Sequence, residues 1–156
     1  MSEKYEELIK SIELSNIKLY SLECKQNPTF VSTERQLDVA FEYTILEVEY
    51  EGMDLNVQIG FSAISFKSDD TIEDNKGIPE EDKLFQISCV FELSYKLELD
   101  TVEDVLEGFT DEVAQFVNQN VPVNAWPYAR ETISSLTTRM GFPPLFIPTF
   151  KRVPKL

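Results

Sequence analysis

The sequence predicts an α+β domain: a four-stranded antiparallel sheet, then a long interrupted helix, then a proline-rich loop. Three observations predict it. Four stretches alternate apolar and polar residues with the two-residue period of a half-buried strand. Helical spacing replaces that alternation after Thr101. Finally "GFPPLFIPTF", Gly141 to Phe150, sets three prolines among three phenylalanines, which bars it from a helix interior or a central strand. With 156 residues the chain reads as one domain, 1–156, large enough for a core without disulfides or metals.

The first strand runs from Ile12 to Cys24, with Ile12, Leu14, Tyr20 and Leu22 in one phase and Ile17 and Leu19 in the other. "KQNPTFVSTER" is a polar connection carrying the isolated Phe30. The second strand begins at Gln36; Leu37 to Ile45 alternate cleanly, then Leu46, Val48 and Tyr50 continue in the opposite phase. A slip of one residue exchanges the faces of a strand, so Ile45–Leu46 predicts a bulge or strong bend. Gly52 sits in the hairpin that leads to a third run, Leu55 to Ala63. After a long acidic loop, Lys67 to Lys83, the fourth strand places an apolar residue at every odd position from Phe85 to Leu99. Thr101 is a plausible helix cap, and Phe109, Val113, Phe116 and Val117 share a helical face. "NVPVNAWP" interrupts the pattern, which resumes at Pro127 with Ala129, Ile133, Leu136 and Met140 and ends at Gly141.

Composition limits the chemistry. Histidine is absent, and no glycine-rich phosphate loop, GxSxG or HExxH occurs. Carboxylates are abundant but none is singled out by spacing. We therefore expect no enzyme, no cofactor and no metal site. Cys24 and Cys89 form no CxxC pattern, and a disulfide between them is not favoured in a reducing compartment. The charged start "MSEKYEELIK" lacks the apolar region of a signal peptide, and no apolar run approaches a membrane span, so a cytoplasmic protein is expected. The net charge of −14 opposes nucleic acid and anionic membranes and favours basic partners, or serves solubility alone. Strands of 12–15 residues would run roughly 40–50 Å, more than one interrupted helix covers. An oligomer that sandwiches helices between sheets is the expected remedy.

"NAWPYARETISSLTTRMGFPPLFIPTF" resembles the signature of the SecB export chaperones, in which a helix carrying P-Y-A-R-E ends in R-x-x-F-P with a further L-x-x-P. The matching residues are Pro127, Tyr128, Ala129, Arg130, Glu131, Arg139, Phe142, Pro143, Leu145 and Pro148. "SLECKQNPTF" looks like the family's S-x-E followed by proline and phenylalanine at the crossover from the first strand to the second. The resemblance implies a cytoplasmic homotetramer, a dimer of dimers. It also implies a holdase that keeps unfolded or presecretory polypeptides in grooves without nucleotide and delivers them to the motor SecA. Client-binding candidates are Phe30, Trp126, Tyr128, Phe142, Leu145 and Phe146. Against them stand structural readings: a Pro-Pro-Phe loop packed over the sheet, Trp126 and Tyr128 in the core, and Arg130 with Glu131 as a buried or interfacial ion pair.

Departures from the family concern the motor. Glu23 matches one carboxylate of the acidic patch for SecA, but Leu19 and Ser88 stand where two others belong; Glu13, Glu42, Glu92 or Glu98 are the available substitutes. The chain stops at "KRVPKL", where the family has a further helix and acidic tail. Three functions compete: a general export holdase, a SecB-like chaperone dedicated to one client such as an antitoxin, and a non-chaperone adaptor on the same fold.

Overall fold

The computed structural model of the chain describes residues 2–30, 37–67, 77–98 and 106–150. Gln36, Leu99, Thr101 and most of the acidic loop lie outside them. In order, the elements are α1 (Glu3–Ser11), β1 (Ile12–Gln26), β2 (Leu37–Glu51), β3 (Asp54–Lys67), β4 (Lys83–Leu97), α2 (Thr110–Gln119) and α3 (Val121–Arg139). The strands form one antiparallel sheet in the order β1-β4-β3-β2. Consecutive in sequence, β1 and β2 therefore lie at opposite edges.

Alternation in the two central strands sets the inner face. Every odd residue from Leu55 to Ala63 and from Phe85 to Leu97 is buried, packed with Phe109, Val113, Phe116, Val117, Ala129 and Ile133 of the helical layer. Each such leucine, isoleucine or phenylalanine contributes about 1.5–3 kcal/mol relative to exposure. The one polar tip in this layer is satisfied: Asn124 Nδ2 donates to the Tyr95 hydroxyl at 2.8 Å, while burial pushes that phenol up to about 12. The outer face is largely polar, apart from a small buried cluster of Ala40, Ile64 and Ile78 with Phe66 packed against it. There Lys18 lies 3.1 Å from Glu92, and Gln58 also donates to Glu92; together they hold its carboxyl below the usual range.

Bulges decide the edge strands. In β2 the pairing steps from Ile45–Ile59 to Glu47–Gln58, which is the bulge the phase break predicts, and Val48 and Tyr50 return to the inner face opposite Val57 and Leu55. Leu46 drops over Gly60, where an added Cβ would meet its Cδ1 at 3.1 Å. In β1 there are two bulges, at Ser15 and Tyr20. The sequence divides the apolar residues of β1 between two phases; the bulges reunite Ile12, Leu14, Ile17, Leu19 and Leu22 on the inner side, opposite Leu97, Tyr95, Leu93, Phe91 and Cys89.

Two elements differ from the sequence reading. The amino terminus is a helix, α1, capped by Ser2 and burying Tyr5 and Leu8; its i, i+3 spacing was available but the stretch reads simply as charged. The second difference is at "NVPVNAWP", which is helical rather than a break. Only Asn120 separates α2 from α3, Pro122 occupies the first turn of α3, and Pro127 lies inside it. Pro127 withholds a hydrogen bond from the carbonyl of Val123, and both residues are on the exposed side of the helix.

The helices cover β3 and β4 but not the sheet's margins. Leu14, Leu19, Tyr20 and Leu22 on β1, and Leu37, Val39, Tyr43, Leu46 and Val48 on β2, remain 38–59% exposed. Both cysteines are free. No helix among the described residues is long and apolar enough to cross a membrane.

Helix α3 ends in a two-bond cap: the Gly141 amide donates to Thr138 O and the Phe142 amide to Thr137 O, with Gly141 at φ +90°. A Gly141→Ala variant should lose about 1 kcal/mol of stability in urea titration. An unchanged midpoint would mean that this cap is not under conformational constraint.

Candidate functional site

The loop that follows α3 is the part of the chain whose composition fits neither core nor ordinary surface, and its geometry is that of a strap. Thr137 is buried, and its hydroxyl accepts from the Leu145 amide at 2.9 Å while lying 3.1 Å from the Ile133 carbonyl. Farther along, Trp126 Nε1 donates to the Pro148 carbonyl at 2.7 Å. The loop thus runs back along α3, tied first near the helix's end and then nearer its start. Prolines suit this path because their backbone nitrogens have no hydrogen to satisfy and their φ is preset.

Side chains of the strap divide by direction. Phe142 packs on Phe85 with centroids 5.6 Å apart. Ile147 is buried. Phe150 lies against Trp126 at 4.9 Å and Tyr43 at 6.0 Å. Leu145 is half-buried, and Phe146 alone projects, 70% exposed. Phe146 forms one wall of a groove of about 610 Å³ whose other walls are Pro127, Arg130, Glu131, Ser134, Ser135, Thr138 and Arg139. No ion pair among the described residues includes Arg130, Glu131 or Arg139.

The remaining candidates are spread around this centre. Trp126 is buried between Phe41, Phe61 and Phe150, with edge-on contacts at 5.2 Å and 6.0 Å to the first two. Tyr128 is 46% exposed, its ring 6.3 Å from Phe91. Phe30 ends the turn after β1, where its amide donates to Asn27 O, and is half-buried. That turn and Phe142 converge on Phe85, which lines a cavity of about 370 Å³ with Asn27, Pro28 and Thr29. Glu23 lies on the outer face opposite Ser88, and Lys25 Nζ is 3.0 Å from its carboxylate. Leu19 faces the other way, since the bulge at Tyr20 separates the two. Glu13, Glu42 and Glu92 share the outer face.

Two surfaces were not evident from the sequence. One is a hollow of about 440 Å³ under α1, lined in part by the apolar Ile9, Ile12, Leu14, Phe116 and Val123 and in part by the polar Glu13, Asn120 and Asn124. Detecting it requires recognition of α1. The second is the exposed inner row of β1, hidden by its bulges. Among the described residues, no hydroxyl lining the groove at Phe146 is hydrogen-bonded to a carboxylate. Cys24 Sγ sits 3.4 Å from Met140 Sδ, and desolvation raises its pKa, which keeps it a thiol. Among the described residues no group of three or more Cys, Asp or Glu side chains is placed to hold a metal ion. What the arrangement offers is apolar area beside two arginines and several hydroxyls.

Neither a protein-family model nor a curated protein matches the sequence. Among solved structures, Rv1957 of Mycobacterium tuberculosis, a SecB-like chaperone in complex with a ChAD peptide from the Rv1956 HigA1 antitoxin, superimposes with a TM-score of 0.73 at 16% identity, covering 97% of this chain and 99% of that one. The chain has a SecB-like fold. A protein of unknown function from Streptococcus agalactiae matches at a TM-score of 0.40 and 8% identity, over 88% of this chain and 96% of its own, a likeness too loose to carry an argument. The four-stranded antiparallel sheet followed by a long helix is thus an architecture shared with that SecB-like structure.

The strap yields a direct test of its tie to Thr137. Replacing Thr137 by valine, which keeps the shape but removes the acceptor, leaves the Leu145 amide without its partner and should cost about 1–3 kcal/mol. It should also raise hydrogen exchange at Leu145 well before global unfolding. Protection of that amide equal to the parent's would show that the tie does not hold the strap.

Proposed function

We propose that this protein is an ATP-independent chaperone that holds one dedicated polypeptide client, such as the antitoxin of a toxin–antitoxin pair. The observation that carries the reading is the likeness over nearly the whole chain to Rv1957, a SecB-like chaperone whose solved structure contains a peptide from an antitoxin. Exposed apolar side chains on a chain of net charge −14 support it, because a holdase must display sticky surface while like charge keeps loaded particles apart.

In this reading Phe146 and Tyr128 are the client contacts most available on the α3 side, with Leu145, Phe142 and Phe30 forming the support and rim around them. Trp126 acts beneath them, as the post to which the strap is tied. Aromatic side chains suit the task because they bury large area at little cost in side-chain freedom. The assembly we propose is a homotetramer in the cytoplasm, with the uncovered margins of the sheet buried between protomers. General export is the second reading. It rests on Glu23, exposed on the outer face as a dock for a basic tail of SecA. That carboxylate is already matched by Lys25, which leaves the dock weak.

The deciding experiment is nucleotide-free dilution of denatured clients into stoichiometric chaperone, followed by light scattering. The panel contains an antitoxin encoded beside this chain and several unrelated slow-folding proteins. Suppressed aggregation of the antitoxin alone supports the dedicated role. Equal protection of all clients supports the general one. Protection of none removes the chaperone reading and leaves an adaptor for a folded partner.

Phe146→Asp should weaken client binding about ten- to a hundredfold, the loss expected for removing one largely buried phenylalanine contact. Its melting curve should be unchanged, since Phe146 carries little core. Phe142→Asp should instead lower stability, because it takes a ring off Phe85. Full client affinity in Phe146→Asp would move the site away from the strap. Under the export reading, Glu23→Lys should reduce affinity for SecA alone, as measured by titration calorimetry against its basic tail.

A further inference from the structure

Strand β2 ends the sheet, and no strand among the described residues pairs with its outer edge. Its two faces are unusually distinct. Through the register with β3, Leu37, Val39, Phe41, Tyr43, Ile45, Val48 and Tyr50 face inward. Asp38, Glu42, Glu47, Glu49 and Glu51 face outward, with buried Ala40 and exposed Thr44 in the same row; all five acids are exposed, and none of the ion pairs among the described residues includes them. Beyond the bulge the acids occupy every second position, spaced roughly 6.7 Å apart.

Edge β1 is different. Its outward row, Glu13, Asn16, Lys18, Ser21, Glu23 and Lys25, carries both signs, and its lysines are matched by Glu92 and Glu23. A neutral edge of that kind admits a second copy of itself. Two copies of β2 edge to edge would set five carboxylates against five, which excludes self-pairing. The same field attracts an opposite charge. Moreover, the inner row of β2 continues into the strap, where Phe150 lies 6.0 Å from Tyr43.

We infer that the free edge of β2 docks an extended polypeptide segment whose apolar residues alternate with lysine or arginine, taken up as a fifth strand of the sheet. Backbone pairing supplies the register. The apolar side chains extend the inner row toward the strap, and the basic ones stand beside Glu47, Glu49 and Glu51. This rests on the chaperone reading and names the class of client segment that it takes. Composition alone does not satisfy the site: the alternation must match the pleat.

Three labelled peptides test this by fluorescence anisotropy with the full chain. One alternates valine and lysine. Another has the same residues as a valine block and a lysine block, and a third is the alternating peptide with its backbone amides N-methylated. The alternating peptide should bind about tenfold more tightly than the other two. Glu47→Gln with Glu49→Gln should remove about tenfold of that affinity, and the loss should shrink at high salt. Equal binding of alternating and block peptides, or indifference to N-methylation, overturns strand docking and leaves the acidic row as a guard against self-pairing. Light scattering separates this from the parent reading. Aggregation suppressed without any peptide preference defeats the edge site only, whereas peptide preference without suppression upholds the edge site and defeats the chaperone.

Discussion

The four strands of this sheet span roughly 20 Å and run for roughly 50 Å, whereas a single α-helix with its side chains is only about 10 Å wide. With 10 and 19 residues, α2 and α3 are about 15 Å and 28 Å long. They bury the inner faces of β3 and β4 and leave the margins bare. The other features of the molecule answer to that shortfall. α1 closes one end by burying Tyr5 and Leu8. The strap after α3 extends the cover with Phe142, Ile147 and Phe150. What remains open, along β1 and β2, is apolar surface, and the net charge of −14 works against its self-association.

Charge also distinguishes the margins from one another. On β1 the outward acids and lysines are balanced locally, whereas on β2 every charged residue of the outward row is acidic. Strand edges are otherwise interchangeable, since every backbone offers the same donors and acceptors. The side chains flanking an edge therefore bias what it can accept.

Much of this was legible in the sequence where one physical rule acts alone. β4, flanked on both sides by strands and on one face by helices, shows the alternation undisturbed, and each of its odd residues from Phe85 to Leu97 is buried as expected. The bulge in β2 was legible because one apolar pair breaks one phase. β1 was not, because two bulges leave a mixed pattern that a single period cannot describe. The helical passage through "NVPVNAWP" was obscured by proline propensity; it is tolerated because Pro122 needs no donor in the first turn and Pro127 faces solvent. Around the candidate site, the family likeness located the strap, but residue type could not say which side chains point inward. Phe142 and Phe146 are the same residue four positions apart, and only their tertiary neighbours, Phe85 for one and a groove for the other, separate support from exposed contact. Likewise, Leu19 and Glu23 would share a face in a regular strand, and the bulge at Tyr20 parts them.

The double tie of the strap has a consequence for how this segment tolerates change in length. Most surface loops absorb an added or lost residue because their ends are fixed and their middles are free. Here the middle is fixed as well, with the Leu145 amide on Thr137 and the Pro148 carbonyl on Trp126. Only Phe146 and Ile147 lie between the anchors, and they point in opposite directions. One residue more or fewer in that interval would exchange their directions or release an anchor, sending an isoleucine to solvent or a phenylalanine into the core. The segment therefore behaves as a gauge of fixed length, in which side-chain identity can drift while the count between the anchors cannot.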